Sequence, residues 1–132
     1  MRLGTKKTLL VTGGEGLDEL SITTTSKVIE INGDDQLIYT ISPEDVGLKR
    51  GTLEEIQVRS PHESAMLIKK ILKAEANDSA TGIVTFNAAA ALYTTNKVQS
   101  IQQGVEQVKH AIESGVVYRH YQSLQKEKQQ YA

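Results

Sequence analysis

The chain has 132 residues, 39% of them hydrophobic, and fifteen Lys and Arg stand against sixteen Asp and Glu for a formal net charge of −1. That length supports one domain with a single core, in which folding removes roughly two-thirds of the surface of the unfolded chain. Near-balanced charge argues against duplex DNA or an anionic membrane as a bulk electrostatic partner, and the lack of cysteine excludes disulfides and thiolate chemistry.

The first residues, Met1 to Lys7, are basic, but only Leu9 to Val11 follow as an apolar stretch, too brief for a signal peptide. No run approaches the ~20 apolar residues that span a bilayer, so the chain reads as a soluble, cytoplasmic protein. Residues 7–12, Lys-Thr-Leu-Leu-Val-Thr, form a β-rich run closed by Gly13 and Gly14. Apolar residues at consecutive positions suit a strand buried on both faces, as in a parallel sheet. No second run of this type follows, so the partners of this strand are expected outside the chain.

Residues 27–42 read as a β-hairpin, Lys-Val-Ile-Glu-Ile, a turn at Asn32-Gly33-Asp34-Asp35, then Gln-Leu-Ile-Tyr-Thr-Ile-Ser. Leu37, Tyr39 and Ile41 alternate with Ile38, Thr40 and Ser42, the period of a half-buried strand, and Asn-Gly tolerates the positive φ of a tight turn. Pro43 ends the hairpin, and residues 43–59 read as a loop.

Ser60-Pro61-His62-Glu63 then makes a capping box with Pro at the first helical position. Ala65, Ile68, Ile71 and Leu72 give that helix an apolar face. Residues 80–94 are apolar nearly throughout and predict a helix buried on most sides. Ser100-Ile101-Gln102-Gln103 forms a second capping box, with Ile101, Val105, Val108 and Ile112 on one stripe and Gly115 placed to end it. Val117, Tyr121 and Leu124 open a last helix whose polar end, from Lys126, is expected to fray. One strand, one hairpin and four helices make an α/β layout with too few strands for a complete doubly wound sheet. The expected fold is an incomplete fragment of a mostly parallel sheet with flanking helices, including the hairpin near 27–42.

The stretch from Thr12 to Ser21, Thr-Gly-Gly-Glu-Gly-Leu-Asp-Glu-Leu-Ser, is where chemistry concentrates. Glycines after a buried strand let the chain turn at the strand's carboxyl end, the side on which open α/β sheets bind ligands. Asp18 and Glu19 are adjacent hard oxygen donors just beyond the turn. With waters and a substrate phosphate they could complete a magnesium octahedron. Adjacent acids in loops are more often simply solvated, and glycines there more often punctuate a turn; spacing alone does not decide.

His62, His110 and His120 show no metal-ligand spacing and read as surface or helix-face residues. Lys49-Arg50 and Arg59 could meet a phosphate, but isolated basic residues in loops are usually solvated. Tyr39, Tyr93, Tyr118, Tyr121 and Tyr131 are too dispersed for a base-stacking platform.

Four collinear stretches carry a resemblance. Gly16-Leu17-Asp18-Glu19-Leu20-Ser21 resembles the Gly-(Leu/Ile)-Asp-Glu-(Leu/Ile)-Ser motif of the anthranilate phosphoribosyltransferases. Ser42-Pro43-Glu44-Asp45-Val46-Gly47-Leu48 is similar to the family's Pro-Glu-Asp-(Phe/Tyr)-Gly-Leu. Asn87 to Tyr93 resembles its Asn-Ala-Ala-Ala-Ala-Leu-Tyr helix, and Gln103-Gly104-Val105 through Ser114-Gly115 resembles its closing segment. Order and spacing agree over nearly the whole chain.

The resemblance implies transfer of phosphoribosyl from phosphoribosyl pyrophosphate to anthranilate in tryptophan biosynthesis, with Mg2+ held by Asp18 and Glu19. It implies no covalent nucleophile, in keeping with the lack of any triad, because a charged leaving group departing from an oxocarbenium-like ribose needs charge neutralisation. Two local departures stand out: Thr12-Gly13 where the family usually has His-Gly, and Val58-Arg59 where it often has Gly-Gly.

The family's Gly-Thr-Gly-Gly-Asp phosphate loop, its Lys-His-Gly-Asn segment, the arginine that helps hold anthranilate and the N-terminal helical domain through which it dimerises are missing. Residues 1–132 are therefore expected to be the C-terminal part of the α/β domain, inactive alone and prone to self-association through strand 7–12. A pyrimidine nucleoside phosphorylase-like enzyme would share the architecture without the Gly-Leu-Asp-Glu-Leu-Ser context. A non-catalytic nucleic-acid-binding paralogue would need a basic groove.

Overall fold

In the computed structural model, which describes residues 4–131, three strands form one antiparallel sheet in the order β1 (Lys7–Gly13), β2 (Ser26–Asn32), β3 (Asp35–Ile41). The basic start at Met1 to Leu3 lies outside the described residues. Lys7 pairs with Asn32 and Gly13 with Ser26, while Ser26 pairs with Ile41 and Asn32 with Asp35. The hairpin stands where the alternation placed it, and Gly33 takes the positive φ of its turn (63°).

The parallel character expected of strand 7–12 is not found within the described residues, since β1 runs antiparallel to β2. The physical reason lies in the connecting loop. The Gly14 N–H donates to Thr25 O at 2.9 Å, so the chain folds straight back beside itself. A parallel pair would instead require a long crossover. The other edge of β1 faces no strand among the described residues.

One face of the sheet is covered. Val28 and Ile41 are buried there, with Leu9, Val11 and Tyr39 packed alongside, against Phe86, Ala89 and Tyr93. The opposite face carries the cross-strand row Leu10, Ile29, Ile38, of which Leu10 is 53% and Ile38 55% exposed. The consecutive apolar residues of β1 thus demand cover on two sides, and the described residues supply it on one.

A polar cluster sits at the edge of the covered face. Glu30 accepts from Tyr93 Oη at 2.8 Å and Tyr39 Oη at 3.3 Å. Lys7 Nζ stands 3.7 Å from the same carboxylate and 3.2 Å from the Tyr93 ring centre.

Four helices follow, α1 (Pro61–Leu72), α2 (Asp78–Thr94), α3 (Ile101–Glu113) and α4 (Val116–Gln130). In the stretch read as a loop, residues 43–59, a 3-10 turn spans Pro43–Val46. Ser60 and Ser100 cap α1 and α3, each hydroxyl accepting from the N–H three residues on at 3.1 Å. The Glu63 and Gln103 side chains reach one residue further back than a capping box requires, to the N–H groups of Arg59 and Gln99 at 2.7 Å.

Helix α2 is the buried rod its composition predicts, with Ala80, Ile83, Phe86, Ala89 and Ala90 in the core. Helix α3 buries the stripe of Ile101, Val105 and Ile112 against it, Val108 lying half-buried on the same stripe. Gly115, at φ 76°, separates α3 from α4 as expected. Only Ile71 of α1 is buried; Ala65 and Ile68 of its expected apolar face are exposed among the described residues.

Candidate functional site

The acidic loop begins where β1 ends. Its first residues coil tightly: the Gly13 N–H donates to Leu17 O and the Gly16 N–H to Gly13 O, both at 2.9 Å. A Cβ on Gly13 would stand 2.9 Å from the Glu15 carboxylate and 3.3 Å from Glu19 O, and Gly16 adopts φ 93°. The glycines are therefore required by close approach at one position and backbone conformation at the other.

Beyond the coil the loop is pinned to the core. Leu20 and Ile22 are fully buried. Between them, Ser21 ties the loop together, its N–H donating to Ser26 Oγ at 2.7 Å while its Oγ accepts from the N–H groups of Thr23 and Thr24 at 3.0 and 3.1 Å. The Ser21 hydroxyl in turn donates to Glu15 Oε1 at 2.5 Å, where Thr23 Oγ1 also donates at 3.0 Å. From α2, Asn87 holds Leu20 through two bonds of 2.9 Å, Oδ1 accepting from its N–H and Nδ2 donating to its carbonyl.

Between coil and anchor stand Asp18, exposed, and Glu19, half-buried. Burial pushes the Glu19 carboxyl above its ordinary value, and the negative charges of Asp18 and Glu15 add to the shift. Glu15 moves the other way. Slight burial would raise it, but the hydrogen bonds from Ser21, its own backbone and Thr23 together hold it below the ordinary value. Of the three acids, Glu15 is thus occupied within the loop, whereas among the described residues no ion pair engages Asp18 or Glu19.

Among the described residues no cluster of three or more His, Cys, Asp or Glu could hold a metal ion. At this loop the described residues offer at most two neighbouring carboxylates, Asp18 and Glu19, and no closed cage. That donor set fits magnesium, which keeps several waters and takes one or two carboxylates plus substrate phosphates. It does not fit a structural zinc site, which would need four ligands.

The other sequence candidates stand apart. His62, His110 and His120 are exposed on α1, α3 and α4. Arg50 is turned to Glu44, with bonds of 2.8 and 3.1 Å, although its neighbour Gly51 donates to Ile22 O at 2.8 Å and so fastens this segment beside the acidic loop. A surface depression of about 410 Å³ is lined by Glu30, Tyr39 and Tyr93 among others, without Asp18 or Glu19. No described helix is long and apolar enough to cross a membrane.

Sequence reasoning missed Glu15, Ser21, Ser26 and Asn87 as the framework of the loop. A polar Asn opening an alanine run was the available signal for Asn87, since a lone carboxamide on a buried helix needs partners.

The sequence model described as "Glycosyl transferase family, a/b domain" matches residues 1–118. The anthranilate phosphoribosyltransferase of Halalkalibacterium halodurans is 51% identical over 129 residues, covering 98% of this chain and 38% of that protein. The solved anthranilate phosphoribosyltransferase of Thermus thermophilus matches with a TM-score of 0.78 and 36% identity, covering 89% of this chain and 34% of that one. The Saccharomyces cerevisiae anthranilate phosphoribosyltransferase, solved in complex with PRPP and Mg, matches with a TM-score of 0.75 over 86% of this chain and 32% of that one. Its identity of 24% makes this a likeness of fold. The chain spans a little over a third of the length of the curated relatives it matches. Matched by the family's sequence model over most of its length, this chain belongs to the glycosyl transferase family, within its α/β domain.

Proposed function

We propose that this chain is the C-terminal part of the α/β domain of an anthranilate phosphoribosyltransferase. The complete enzyme would transfer phosphoribosyl from phosphoribosyl pyrophosphate to the amine of anthranilate, in tryptophan biosynthesis. Identity of 51% along 98% of the chain to an enzyme of that name supports the reading. In the complete protein, a homodimer joined through a helical domain outside this chain, the remaining active-site groups come from other segments.

Asp18 and Glu19 are this chain's contribution, as the residues that hold Mg2+. The observation that carries the assignment is the loop itself: core anchors at Leu20 and Ile22 present two carboxylates beyond the carboxyl end of β1, while the third, Glu15, is engaged by Ser21 and Thr23. When bound, magnesium supplies charge neutralisation to a departing pyrophosphate. The protein's part is to hold the two carboxylates in place, so no nucleophilic side chain is needed.

The test is Asp18→Asn with Glu19→Gln in the complete enzyme. Loss of magnesium-dependent turnover without loss of thermal stability is expected, because neither side chain is part of the core and neutralising them relieves the repulsion among Glu15, Asp18 and Glu19. Wild-type turnover at saturating magnesium would overturn the assignment. The chain alone is inactive on this reading, and calorimetry with phosphoribosyl pyrophosphate and Mg2+ should find tight binding only by the complete enzyme.

The edge of β1 that faces no strand among the described residues, with the exposed Leu10 and Ile38, leaves the isolated chain prone to self-association. Light scattering should find oligomers that Leu10→Lys disperses. A monomer at high concentration would count against this.

A further inference from the structure

We propose that Asn87, on α2, is a positioning residue for the metal-binding pair, fixing the Glu19 backbone through the main chain of Leu20; this rests on the reading of Asp18 and Glu19 as magnesium ligands. Leu20 N–H belongs to the peptide plane that begins at the Glu19 carbonyl, and Leu20 C=O begins the next plane. One carboxamide holds both, at 2.9 Å each. A carboxamide carries an acceptor and a donor side by side, so it can bond to both groups of one residue as a neighbouring strand would. A carboxylate of the same size offers no donor, and an aliphatic side chain offers neither.

Asn87 is itself immobilised. Its second Nδ2 hydrogen goes to Ile83 O, one turn back on α2, at 2.9 Å. The amide orientation follows from these partners, because the reversed group would set Oδ1 against two carbonyls and Nδ2 against an N–H. The helix also cradles the residues just after the clamp. A Cβ on Gly82 would stand 2.9 Å from Ile22 Cδ1, so α2 lies directly against the loop at a second point.

The pair thus stands on a peptide whose orientation is set by a rigid helix and not by the loop's own turns. Supporting contacts of this kind govern metal affinity through the ligands they orient. Ordering the loop before the cation arrives removes a cost that binding would otherwise meet.

The experiment uses the 132-residue chain and Mn2+ as a paramagnetic probe of the magnesium site, read as line broadening at the amides of residues 17–20, together with hydrogen exchange at Leu20. In the parent, localised broadening is expected. Asn87→Ala should weaken Mn2+ binding about tenfold, by the usual effect of losing a ligand-supporting contact. It should also expose the Leu20 amide while the amides of α2 stay protected. Asn87→Gln, which keeps both the acceptor and the donor one methylene further out, should fall between, and it carries the test if the alanine variant does not fold.

Unchanged Mn2+ affinity in Asn87→Ala, despite loss of Leu20 protection, would reduce the clamp to a packing contact and overturn the inference alone. Asp18→Asn with Glu19→Gln separates the two claims. If that variant broadens residues 17–20 as the parent does, the metal assignment fails and the inference fails with it; no broadening in the parent would overturn the inference alone, because the complete enzyme adds substrate phosphate to the site.

Discussion

Tyr93 of α2 donates its phenolic hydrogen to the Glu30 carboxylate of β2 across 2.8 Å, joining the helix to the sheet through a charge on the sheet's packed face. Lys7 answers that charge from β1, with only 8% of its side chain exposed and 13% of that of Glu30. Removing one member of such a pair leaves the other buried without its counter-charge, whereas removing both is far less harmful. Lys7→Met should therefore destabilise the chain by about 3 kcal/mol. Adding Glu30→Gln should recover part of that loss, with a coupling of about 1 kcal/mol or more in urea denaturation. Strictly additive losses would mean that the two charges act independently.

Tyr39 shares this cluster, and burial, followed by the charge of Glu30, pushes its phenol up to about 12. The unfolded phenol ionises near pH 10. Between these values the unfolded chain releases a proton that the folded chain keeps, so stability falls as pH rises through that window. Below pH 10 both states are protonated and the contribution is constant. Denaturation midpoints measured from pH 9 to 12 should fall less steeply in Tyr39→Phe than in the parent.

Gly104 of α3 meets α2 so closely that a Cβ would stand 2.8 Å from Ala89 O and 3.0 Å from Ala89 Cα. Alanine would gain roughly 1 kcal/mol of helix propensity, but the obstacle is backbone and cannot rotate aside. Gly104→Ala should therefore lower stability by about 1–2 kcal/mol net. A denaturation midpoint equal to or above the parent's would show that the crossing relaxes freely.

Ala74 lies past the end of α1 with φ 59°, its N–H donating to Ile71 O while the Glu75 N–H reaches back to Lys70 O. This is a Schellman closure on a residue with a Cβ. Glycine removes the steric cost of the left-handed region and concedes some entropy in the unfolded chain. Ala74→Gly should raise stability by about 0.5–1 kcal/mol. The same change at Ala88, inside α2, should lower it.

The helices and the hairpin were legible because their signals are local. Ser60 and Ser100 announce α1 and α3 through contacts within four residues, and Gly33 makes its turn with its own φ. The direction of β1 was not legible, since consecutive apolar residues encode which faces want cover and carry no information on which way the neighbouring strand runs. Asp18 and Glu19 stand out in the sequence as adjacent acids after a glycine turn, but the contacts that hold their loop do not. Asn87 meets Leu20 across 67 residues of chain, and Glu30 looks like any solvent-facing acid of an alternating strand until Tyr93 arrives from 63 residues away.

Helix α2 works as a lever with its two ends of interest close together. Asn87 grips the acidic loop and Ala89 receives Gly104, only about 3 Å apart along the axis. A bulkier residue at 104 that pries the helices apart would tilt the rod and displace the carboxamide at its far side. Position 104 is thereby constrained by the geometry of a loop it never touches. On the proposed reading of Glu19 as a metal ligand, glycine at 104 would serve its placement even in a chain with stability to spare.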